Sequence, residues 1–441
     1  MWDGLLNLDV LEGPLITIVF VLGLAGLVVL LARRPDKRRL LTLAVAVVTG
    51  GAAAITLWLI CVRWLDLFGG SPGMGSYLWV AATCIAVSVA VVSFRGVRWW
   101  RKAVASGAIV VFLMCGVLGV NAVFGVNRTV GNLVNIVVSK PIRLAPLTSN
   151  GEADRPDTPL WSRWKPPAGM PKQGTTGTVT IPPTVSGFSA RAAGIYLPPA
   201  ARTSDPPVLP VVVMLMGQPG NPDPAPIASV LNRFAEQHEG LAPIVVVPDQ
   251  LGPGINDTGC VDSDRYGKVY TYLTQDVTAW ITAHLNVTKD HQYWTVAGYS
   301  NGGQCAVSLG IKRPDLYRVI IDVSGEEFPG ASNPAYALND LFKNSQSAYD
   351  AEKPINLLAQ RGPLNSTAVF TASKDDTHYM QVAQKLTQAA KNSGMNAELR
   401  LLDHAGHGAD ALEGGLGDGF AVAYPLLGLS APGHRASGPK G

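Results

Sequence analysis

Hydrophobic residues are distributed very unevenly along this chain. Four stretches near the N-terminus carry no charged side chain, and each approaches the roughly 20 residues that a helix needs to cross a bilayer. A charge at the centre of a membrane helix costs about 2.5–3.5 kcal/mol, so clean apolar stretches of this length indicate membrane spans. None shows the polar face of a helix on a soluble protein. The pattern predicts a four-helix transmembrane domain over residues 1–126, with spans at Leu15–Ala32, Leu40–Val62, Tyr77–Phe94 and Val104–Phe124.

Basic residues flank these stretches asymmetrically. Five of them, beginning at Arg33, separate the first two stretches, and four, beginning at Arg95, separate the last two. Because cytoplasmic loops are enriched in Lys and Arg, both loops are predicted to lie in the cytoplasm and everything after residue 125 outside it. The first stretch has no basic segment before it and no cleavage site after it, so it is not a signal peptide. We therefore predict a multi-pass plasma-membrane protein with an extracytoplasmic C-terminal domain.

The polar remainder of the chain divides into three parts. Residues 127–176 are rich in proline and are predicted to be a linker, and the Gly/Pro-containing residues 430–441 a disordered tail. Residues 177–429 alternate short β-rich runs with helical runs of about ten or more residues, which predicts a mostly parallel sheet flanked by helices. The predicted strands are Thr178–Ile181, Ala192–Leu197, Val208–Met216, Ile244–Val247, Tyr293–Ala297, Arg318–Val323, Thr367–Ala372 and Ala397–Leu402; the predicted helices are Ile227–His238, Lys268–His284, Gln304–Ile311, Thr377–Ser393 and Ala409–Leu427.

A Gly-x-Ser-x-Gly motif follows the fifth predicted strand. It places Ser300 between Gly298 and Gly302, with a predicted helix directly after it. The order strand, sharp turn, helix is that of a nucleophile elbow. The same motif occurs at 69–73, but there it lies between two apolar spans with no strand before it, and we interpret it as a turn. Ser300 is the candidate nucleophile.

A serine hydroxyl needs a base to activate it, and the base needs an acid to orient it. Downstream of Ser300, one predicted strand runs into Asp375 and Asp376, and the next runs into His404 and His407. The carboxyl ends of parallel strands gather at one edge of a sheet, so these side chains can meet the serine. We predict Asp375 and His407 as its partners, with Asp376 and His404 as the alternatives.

Two backbone N–H groups are predicted to form the oxyanion hole that stabilises the transition state. One belongs to Asn301, the residue after the nucleophile. The other is assigned to Gln218, in the glycine turn after the third predicted strand, because Pro219 has no N–H. The alternative interpretation of the glycine turn is an ordinary connection from a strand to a loop.

Cys260 and Cys305 are the two cysteines outside the apolar spans. An oxidising compartment favours a disulfide between them, which would tie the loop near Cys260 to the helix after the nucleophile. Two free thiols are the alternative.

Charge and composition exclude several other classes of partner. The net charge is +3, and the basic residues lie beside the apolar spans rather than in a nucleic-acid motif. We predict no nucleic-acid partner, no cofactor and no metal, since His404 and His407 lack the further ligands that a metal site requires. Oligomeric state stays unknown from the sequence.

Residues 175–427 resemble the putative-esterase branch of the α/β-hydrolases, which includes enterochelin and feruloyl esterases and the actinobacterial mycolyltransferases. The resemblance implies an α/β-hydrolase fold and a catalytic triad with the roles given above. Related membrane-anchored hydrolases deacylate aminoacyl-lipids, so it also implies an ester, lipid or aminoacyl-lipid substrate. The motifs that carry it are Met216–Gly220, Gly298–Gly303, Lys374–Asp376 and Gly406–His407.

Three functions fit this sequence. The first is a membrane-anchored serine esterase in which water completes the reaction. The second is an acyltransferase of the mycolyltransferase type, which passes the acyl group to a sugar or lipid hydroxyl by the same acyl-enzyme. The third is a non-catalytic binding module on a membrane anchor.

Overall fold

The structure, a computed structural model, describes residues 2–32, 36–64, 73–136, 140–144, 158–253, 256–361 and 364–433. Arg33 and Arg34 of the first basic loop, most of the second Gly-x-Ser-x-Gly motif, part of the predicted linker and residues 434–441 of the predicted tail lie outside the described residues. The chain forms two compact units, Met1–Val138 and Ser139–Gly441. The boundaries of linker and tail inferred from composition stay predictions.

The first unit consists of helices. Among the described residues, four are long and apolar enough to cross a membrane, and they coincide with the four predicted spans. Many of their large apolar side chains are exposed, as lipid-facing residues would be. The helices are α1 (Trp2–Leu6), α2 (Pro14–Leu31), α3 (Lys37–Trp58, continued by a π-helical segment Leu59–Trp64), α4 (Gly73–Val92), α5 (Trp99–Phe124) and α6 (Val130–Leu133).

Small residues allow these helices to approach each other closely. A Cβ on Gly50 of α3 would lie 2.6 Å from the Cα of Ile85 in α4. Close backbone approach of this kind is how helices associate where no water drives them together. At the end of α2 the Arg39 guanidinium donates to the carbonyls of Leu30 and Leu31, at 3.1 and 2.8 Å. A basic residue of the predicted cytoplasmic loop thereby satisfies carbonyls that the helix itself leaves unpaired.

The second unit is built on an eight-stranded sheet with the order β1-β2-β4-β3-β7-β8-β9-β10. The pairs β1–β2 and β2–β4 are antiparallel and the remaining pairs are parallel. A separate two-stranded ribbon joins β5 and β6. The strands are β1 (Thr175–Val179), β2 (Ala193–Leu197), β3 (Val211–Leu215), β4 (Ile244–Val247), β5 (Asp262–Ser263), β6 (Gly267–Lys268), β7 (Trp294–Tyr299), β8 (Val319–Val323), β9 (Thr367–Ser373) and β10 (Asn396–Leu402).

Helices cover this sheet, and the predicted fold class, a mostly parallel α/β sheet of the α/β-hydrolase type, is confirmed. Every predicted strand is present, with its ends shifted by no more than three residues. The helix predicted at Lys268–His284 is interrupted by a π-helical segment, Tyr272–Asp276. The helices are α7 (Leu160–Arg163), α8 (Ala225–Gln237), α9 (Val269–Thr271), α10 (Val277–His284), α11 (Asn301–Lys312), α12 (Pro334–Tyr336), α13 (Gln346–Glu352), α14 (Pro354–Gln360), α15 (Thr377–Asn392) and α16 (Ala409–Leu426).

Strand β7 lies at the centre of the sheet, between β3 and β8, and all six of its residues are buried. A strand buried on both faces reads as a continuous apolar run, which is why this segment was recognisable in the sequence. Helix α7, from the predicted linker, packs on the same unit: the indole N–H of Trp164 donates to the Glu239 carbonyl at 2.9 Å. The carboxyl edge of β7 and its neighbours carries the candidate site.

Candidate active site

Ser300 occupies a strained turn between β7 and α11. Its backbone has φ +55° and ψ −119°, a conformation that residues other than glycine rarely adopt. A Cβ on Gly298 would lie 1.8 Å from the Gly302 carbonyl oxygen, and one on Gly302 would lie 2.2 Å from the Leu215 carbonyl oxygen. Both motif positions therefore require glycine, and the chain around Ser300 has the geometry of a nucleophile elbow.

The imidazole of His407 reaches the serine. Its Nε2 lies 3.1 Å from Ser300 Oγ, within hydrogen-bonding distance. His407 stands in the loop after β10, at the same edge of the sheet as Ser300, as the parallel topology requires. His404, the alternative, lies in the same loop with a left-handed backbone, φ +52°. The contact with Ser300 is made by the histidine that we predicted.

The carboxylate that meets this imidazole belongs to Asp376, the alternative to Asp375 in our prediction, and which aspartate acts in catalysis stays a prediction. His407 Nδ1 lies 3.1 Å from Asp376 Oδ2, and both atoms are buried with no other partner among the described residues. Asp375 instead accepts from the Ser373 hydroxyl and from the Gly406 N–H, the latter at 3.2 Å. The Ser373 hydrogen bond holds the pKa of Asp375 below its usual value. Asp375 thus anchors the histidine loop rather than the imidazole.

Asp376 is also the N-cap residue of α15, yet its side chain makes no capping hydrogen bond. Asp is a favoured N-cap, and we expected one of the two aspartates to fill that role. The carboxylate of Asp376 instead faces His407. Because either aspartate could cap the helix, the sequence did not show which of Asp375 and Asp376 faces the imidazole.

Two tyrosines enclose the imidazole. The ring of Tyr379 stacks on His407 with centroids 3.9 Å apart, and the ring of Tyr299 lies at 5.3 Å. The Tyr299 hydroxyl donates to the His407 carbonyl at 3.0 Å. Burial, followed by the carboxylates of Glu326 and Asp376, raises the pKa of the Tyr379 hydroxyl, which hydrogen-bonds with Ser300. Both rings pack against the base, and sequence reasoning missed both tyrosines.

The glycine turn after β3 lies beside the nucleophile. A Cβ on Gly217 would lie 3.4 Å from the Cβ of Ser300. Asn301 is the first residue of α11, where backbone N–H groups have no acceptor within the helix. The assignment of the Gln218 and Asn301 N–H groups as oxyanion donors stays a prediction; Asn301 follows the serine in the chain, and Gln218 follows Gly217.

A buried ion pair supports that glycine turn. Arg191 binds Asp249 through Nε at 3.0 Å and Nη2 at 2.7 Å, and the carboxylate of Asp249 is fully buried. The same guanidinium donates to the Gly220 carbonyl at 3.0 Å and to Asn221 Oδ1 at 2.9 Å. Arg191 therefore fastens the end of the glycine turn to the end of β4. No sequence pattern connects Arg191 with Asp249, because 58 positions separate them.

The predicted disulfide between Cys260 and Cys305 is present, closing a separation of 45 positions. It joins the loop after β4 to α11, at a position five residues after the nucleophile. Among the described residues, no group of three or more His, Cys, Asp or Glu side chains could hold a metal ion.

Carboxyl groups gather around the first turn of α11. Asn301 Nδ2 donates to Asp257 Oδ1 at 3.0 Å. The Glu326 N–H donates to the Ser300 carbonyl at 3.2 Å, and burial raises the pKa of the Glu326 carboxyl to about 8. Asp322, on β8, is also buried, and burial raises the pKa of that carboxyl to about 8. Glu326 comes three residues after the end of β8, so the rule that active groups lie at strand ends would have identified it from the sequence. Asp257 does not follow a strand end in this way.

The fold and the hydroxyl–imidazole–carboxylate contact define the class of this protein as a hydrolase with the α/β-hydrolase fold. Its sequence agrees. The chain belongs to the putative esterase family, whose sequence profile matches residues 189–411. The resemblance noted from the motifs is thereby confirmed, and an esterase or acyltransferase activity is supported.

Known proteins are similar to part of this chain. An uncharacterized protein of Corynebacterium glutamicum is 32% identical over 237 residues, covering 52% of this chain and 54% of that protein, so the chain spans about half the length of this curated relative. S-formylglutathione hydrolase from Agrobacterium tumefaciens is 18% identical, with a TM-score of 0.48 over 58% of this chain and 97% of that one. MPT51 from Mycobacterium tuberculosis is 16% identical, with a TM-score of 0.44 over 58% and 98%.

Proposed function

We propose that the protein is a membrane-anchored, extracytoplasmic serine esterase that cleaves an ester through an acyl-enzyme. The observation that carries the proposal is the continuous contact from Ser300 Oγ through His407 to Asp376, with both links at 3.1 Å. Hydroxyl, imidazole and carboxylate in this order are the groups that acyl transfer from an ester requires.

In the proposed reaction, the Ser300 hydroxyl oxygen attacks the ester carbonyl carbon while His407 Nε2 accepts its proton. The carbonyl oxygen takes up the negative charge and is bound by the N–H groups of Gln218 and Asn301. When the intermediate collapses, the bond to the alcohol oxygen breaks and His407 returns the proton to the departing alcohol. Water then attacks the acyl-enzyme by the same route, releasing the acid and restoring the serine. Asp376 stabilises the imidazolium that forms in each half.

A fluorophosphonate probe tests this proposal, because it bonds covalently to an activated serine. The native chain should be labelled and should release p-nitrophenol from a p-nitrophenyl ester, and Ser300→Ala should do neither. Ser308→Ala is the matched control, since Ser308 lies on α11 and its hydroxyl accepts a hydrogen bond from the Gln304 side chain. Equal labelling of native protein and Ser300→Ala would reject the assignment of Ser300, and absence of labelling in the native chain would favour a non-catalytic binding module.

The four apolar helices support an integral anchor, and the basic residues between them support an outward-facing hydrolase domain. The Cys260–Cys305 disulfide is independent support, because such bonds persist in oxidising compartments. Protease treatment of intact spheroplasts tests the orientation: the hydrolase domain should be digested without lysis. Protection of the domain until the membrane is broken would contradict it.

A substrate in or on the membrane, a lipid or an aminoacyl-lipid, fits an anchored esterase. Water and a second hydroxyl compete for the same acyl-enzyme, so product analysis decides between hydrolysis and acyl transfer. With purified protein and a candidate lipid ester, free acid as the main product supports hydrolysis. A new ester that forms only when a sugar or lipid alcohol is added would instead support an acyltransferase.

A further inference from the structure

Tyr379 contacts the base with its ring and the nucleophile with its hydroxyl. The ring stacks on the His407 imidazole with centroids 3.9 Å apart and planes inclined by 20°, and the hydroxyl hydrogen-bonds with Ser300. The side chain is 5% exposed, so both contacts lie in the protein interior. Tyr299, the second tyrosine beside the base, directs its hydroxyl to the His407 backbone carbonyl instead. Of the two tyrosines, Tyr379 is therefore the one whose hydroxyl touches a reacting atom.

Helix α15 fixes the position of this side chain. Tyr379 lies in the first turn of the helix, three positions after Asp376. Residues three apart share one face of a helix, so a single helical turn supplies both the carboxylate that contacts His407 Nδ1 and the ring that covers the imidazole. A group carried on a helix is held more precisely than one on a loop. The Tyr379 hydroxyl is thus placed with the same precision as the acid.

The Tyr379 hydroxyl acts as a hydrogen-bond donor toward the nucleophile. Ser300 carries a single hydroxyl proton, and that proton is the one that His407 Nε2, 3.1 Å away, accepts. The phenol must then provide the proton of its own hydrogen bond to Ser300 Oγ. Burial, followed by the carboxyl groups of Glu326 and Asp376, raises the pKa of the Tyr379 hydroxyl, so it keeps its proton wherever a histidine base is active.

The departing alcohol needs a donor at this same position. When the tetrahedral intermediate collapses, the bond between the carbonyl carbon and the alcohol oxygen breaks, and its electron pair goes to that oxygen. His407 Nε2 gives the oxygen its proton, so the oxygen must lie beside Nε2. The Tyr379 hydroxyl adjoins this place, because it reaches Ser300 while its ring is stacked on the imidazole. Hydrogen bonds to an oxygen that carries negative charge are about twice as strong as those to a neutral one.

Resting on the proposed esterase function, we infer that Tyr379 is a further catalytic residue, whose hydroxyl donates a hydrogen bond to the alcohol oxygen as it leaves. The phenol keeps its own proton, and the proton that the alcohol carries away comes from His407. The benefit increases with the negative charge that the leaving oxygen gains. It is therefore small for p-nitrophenol, whose anion is stable by itself, and large for a simple alkyl alcohol.

Two esters of one acid test this role in the full chain. p-Nitrophenyl butyrate and ethyl butyrate share the acyl part, and kcat/KM compares the free protein with the transition state of acylation for each. Tyr379→Phe keeps the ring and removes the hydroxyl. It should lower kcat/KM for ethyl butyrate about tenfold to a hundredfold more than for p-nitrophenyl butyrate, the range expected for a hydrogen bond to a charged group. Tyr299→Phe, the matched control, removes the other hydroxyl beside the base and should change both values by the same factor.

Fluorophosphonate labelling completes the test, because fluoride leaves without help from a donor. Tyr379→Phe should be labelled at close to the native rate, which also shows that the variant is folded. An equal loss for the two esters would overturn the inference, since a donor to the carbonyl oxygen or a support of the base acts alike on both. A loss of labelling as large as the loss with ethyl butyrate would overturn it too, because the hydroxyl would then act before the alcohol leaves. Failure of the esterase function is recognised separately, by Ser300→Ala hydrolysing both esters like the native chain.

Discussion

Replacing each aspartate of the acid loop separately tests the proposed triad of Ser300, His407 and Asp376. Asp376→Asn keeps the size of the side chain but removes the charge facing His407, whereas Asp375→Asn weakens the anchor of the histidine loop. The two residues are adjacent and chemically identical, so each substitution is the control for the other. The structure predicts very different consequences for the two.

The expected magnitude follows from the contact between His407 and Asp376. During the reaction the imidazole becomes a cation whose Nδ1 lies 3.1 Å from the carboxylate oxygen. The side chains are 22% and 16% exposed, so an effective dielectric constant of about 20 is appropriate. The attraction is then about 5 kcal/mol, or roughly a 10⁴-fold rate effect. Loss of the corresponding acid in chymotrypsin-type enzymes also costs about 10⁴ in kcat.

The assay is the steady-state hydrolysis of a p-nitrophenyl ester by the full chain in detergent, supported by the rate of fluorophosphonate labelling. Asp376→Asn should lower kcat by about 10³–10⁴-fold with a much smaller change in KM. Asp375→Asn should lower it by less than about tenfold, because the Ser373 and Gly406 contacts to an uncharged acceptor are weakened but not lost. A profound loss in Asp375→Asn together with near-native turnover in Asp376→Asn would refute the assignment.

Four further outcomes are expected. Arg191→Ala should lower the unfolding free energy by about 3–5 kcal/mol, because it leaves its partner carboxylate buried and unpaired, and chemical denaturation followed by tryptophan fluorescence measures this. The double substitution Cys260→Ser/Cys305→Ser should lower it by about 4 kcal/mol from loop entropy alone; an unchanged midpoint would argue against that account. Gly302→Ala should abolish labelling and folding together, since the added Cβ would lie 2.2 Å from a backbone carbonyl oxygen, and retention of native activity would contradict the elbow geometry. Because burial raises the pKa of Glu326 to about 8, the folded chain retains a proton that the unfolded chain releases at lower pH. Stability should therefore fall as pH rises from about 5 to 8, and Glu326→Gln should reduce that slope.

Sequence pattern was sufficient for the scaffold. The four candidate spans are apolar along their whole length and the central strands are buried between helices, so their apolar residues run without interruption and mark the elements directly. Ser300 was recognisable because an elbow requires a strand before the motif and a helix after it, and no strand is predicted before the motif at 69–73. His407 followed from the strand order, which brings the loop after β10 to the edge that carries the nucleophile.

The remaining parts of the site depend on contacts that spacing does not encode. Asp375 and Asp376 are successive residues, and which of them faces the imidazole is decided by the turn between β9 and α15. Arg191 and Asp249 pair across 58 positions, and no periodicity connects them. Asp257 reaches Asn301 because its loop is folded onto α11, an arrangement that a pattern of apolar and polar positions cannot describe.

Asp376 also bears on any effort to make this protein more heat-resistant. Helix α15 begins without a side-chain acceptor for its first N–H groups, and a good N-cap contributes about 1 kcal/mol. Substitutions at position 376 whose side chain caps α15 should therefore raise the free energy of unfolding and lower the turnover. A screen that selects only for a higher melting temperature would therefore enrich variants without catalytic activity, so Asp376 should be kept unchanged in such a screen.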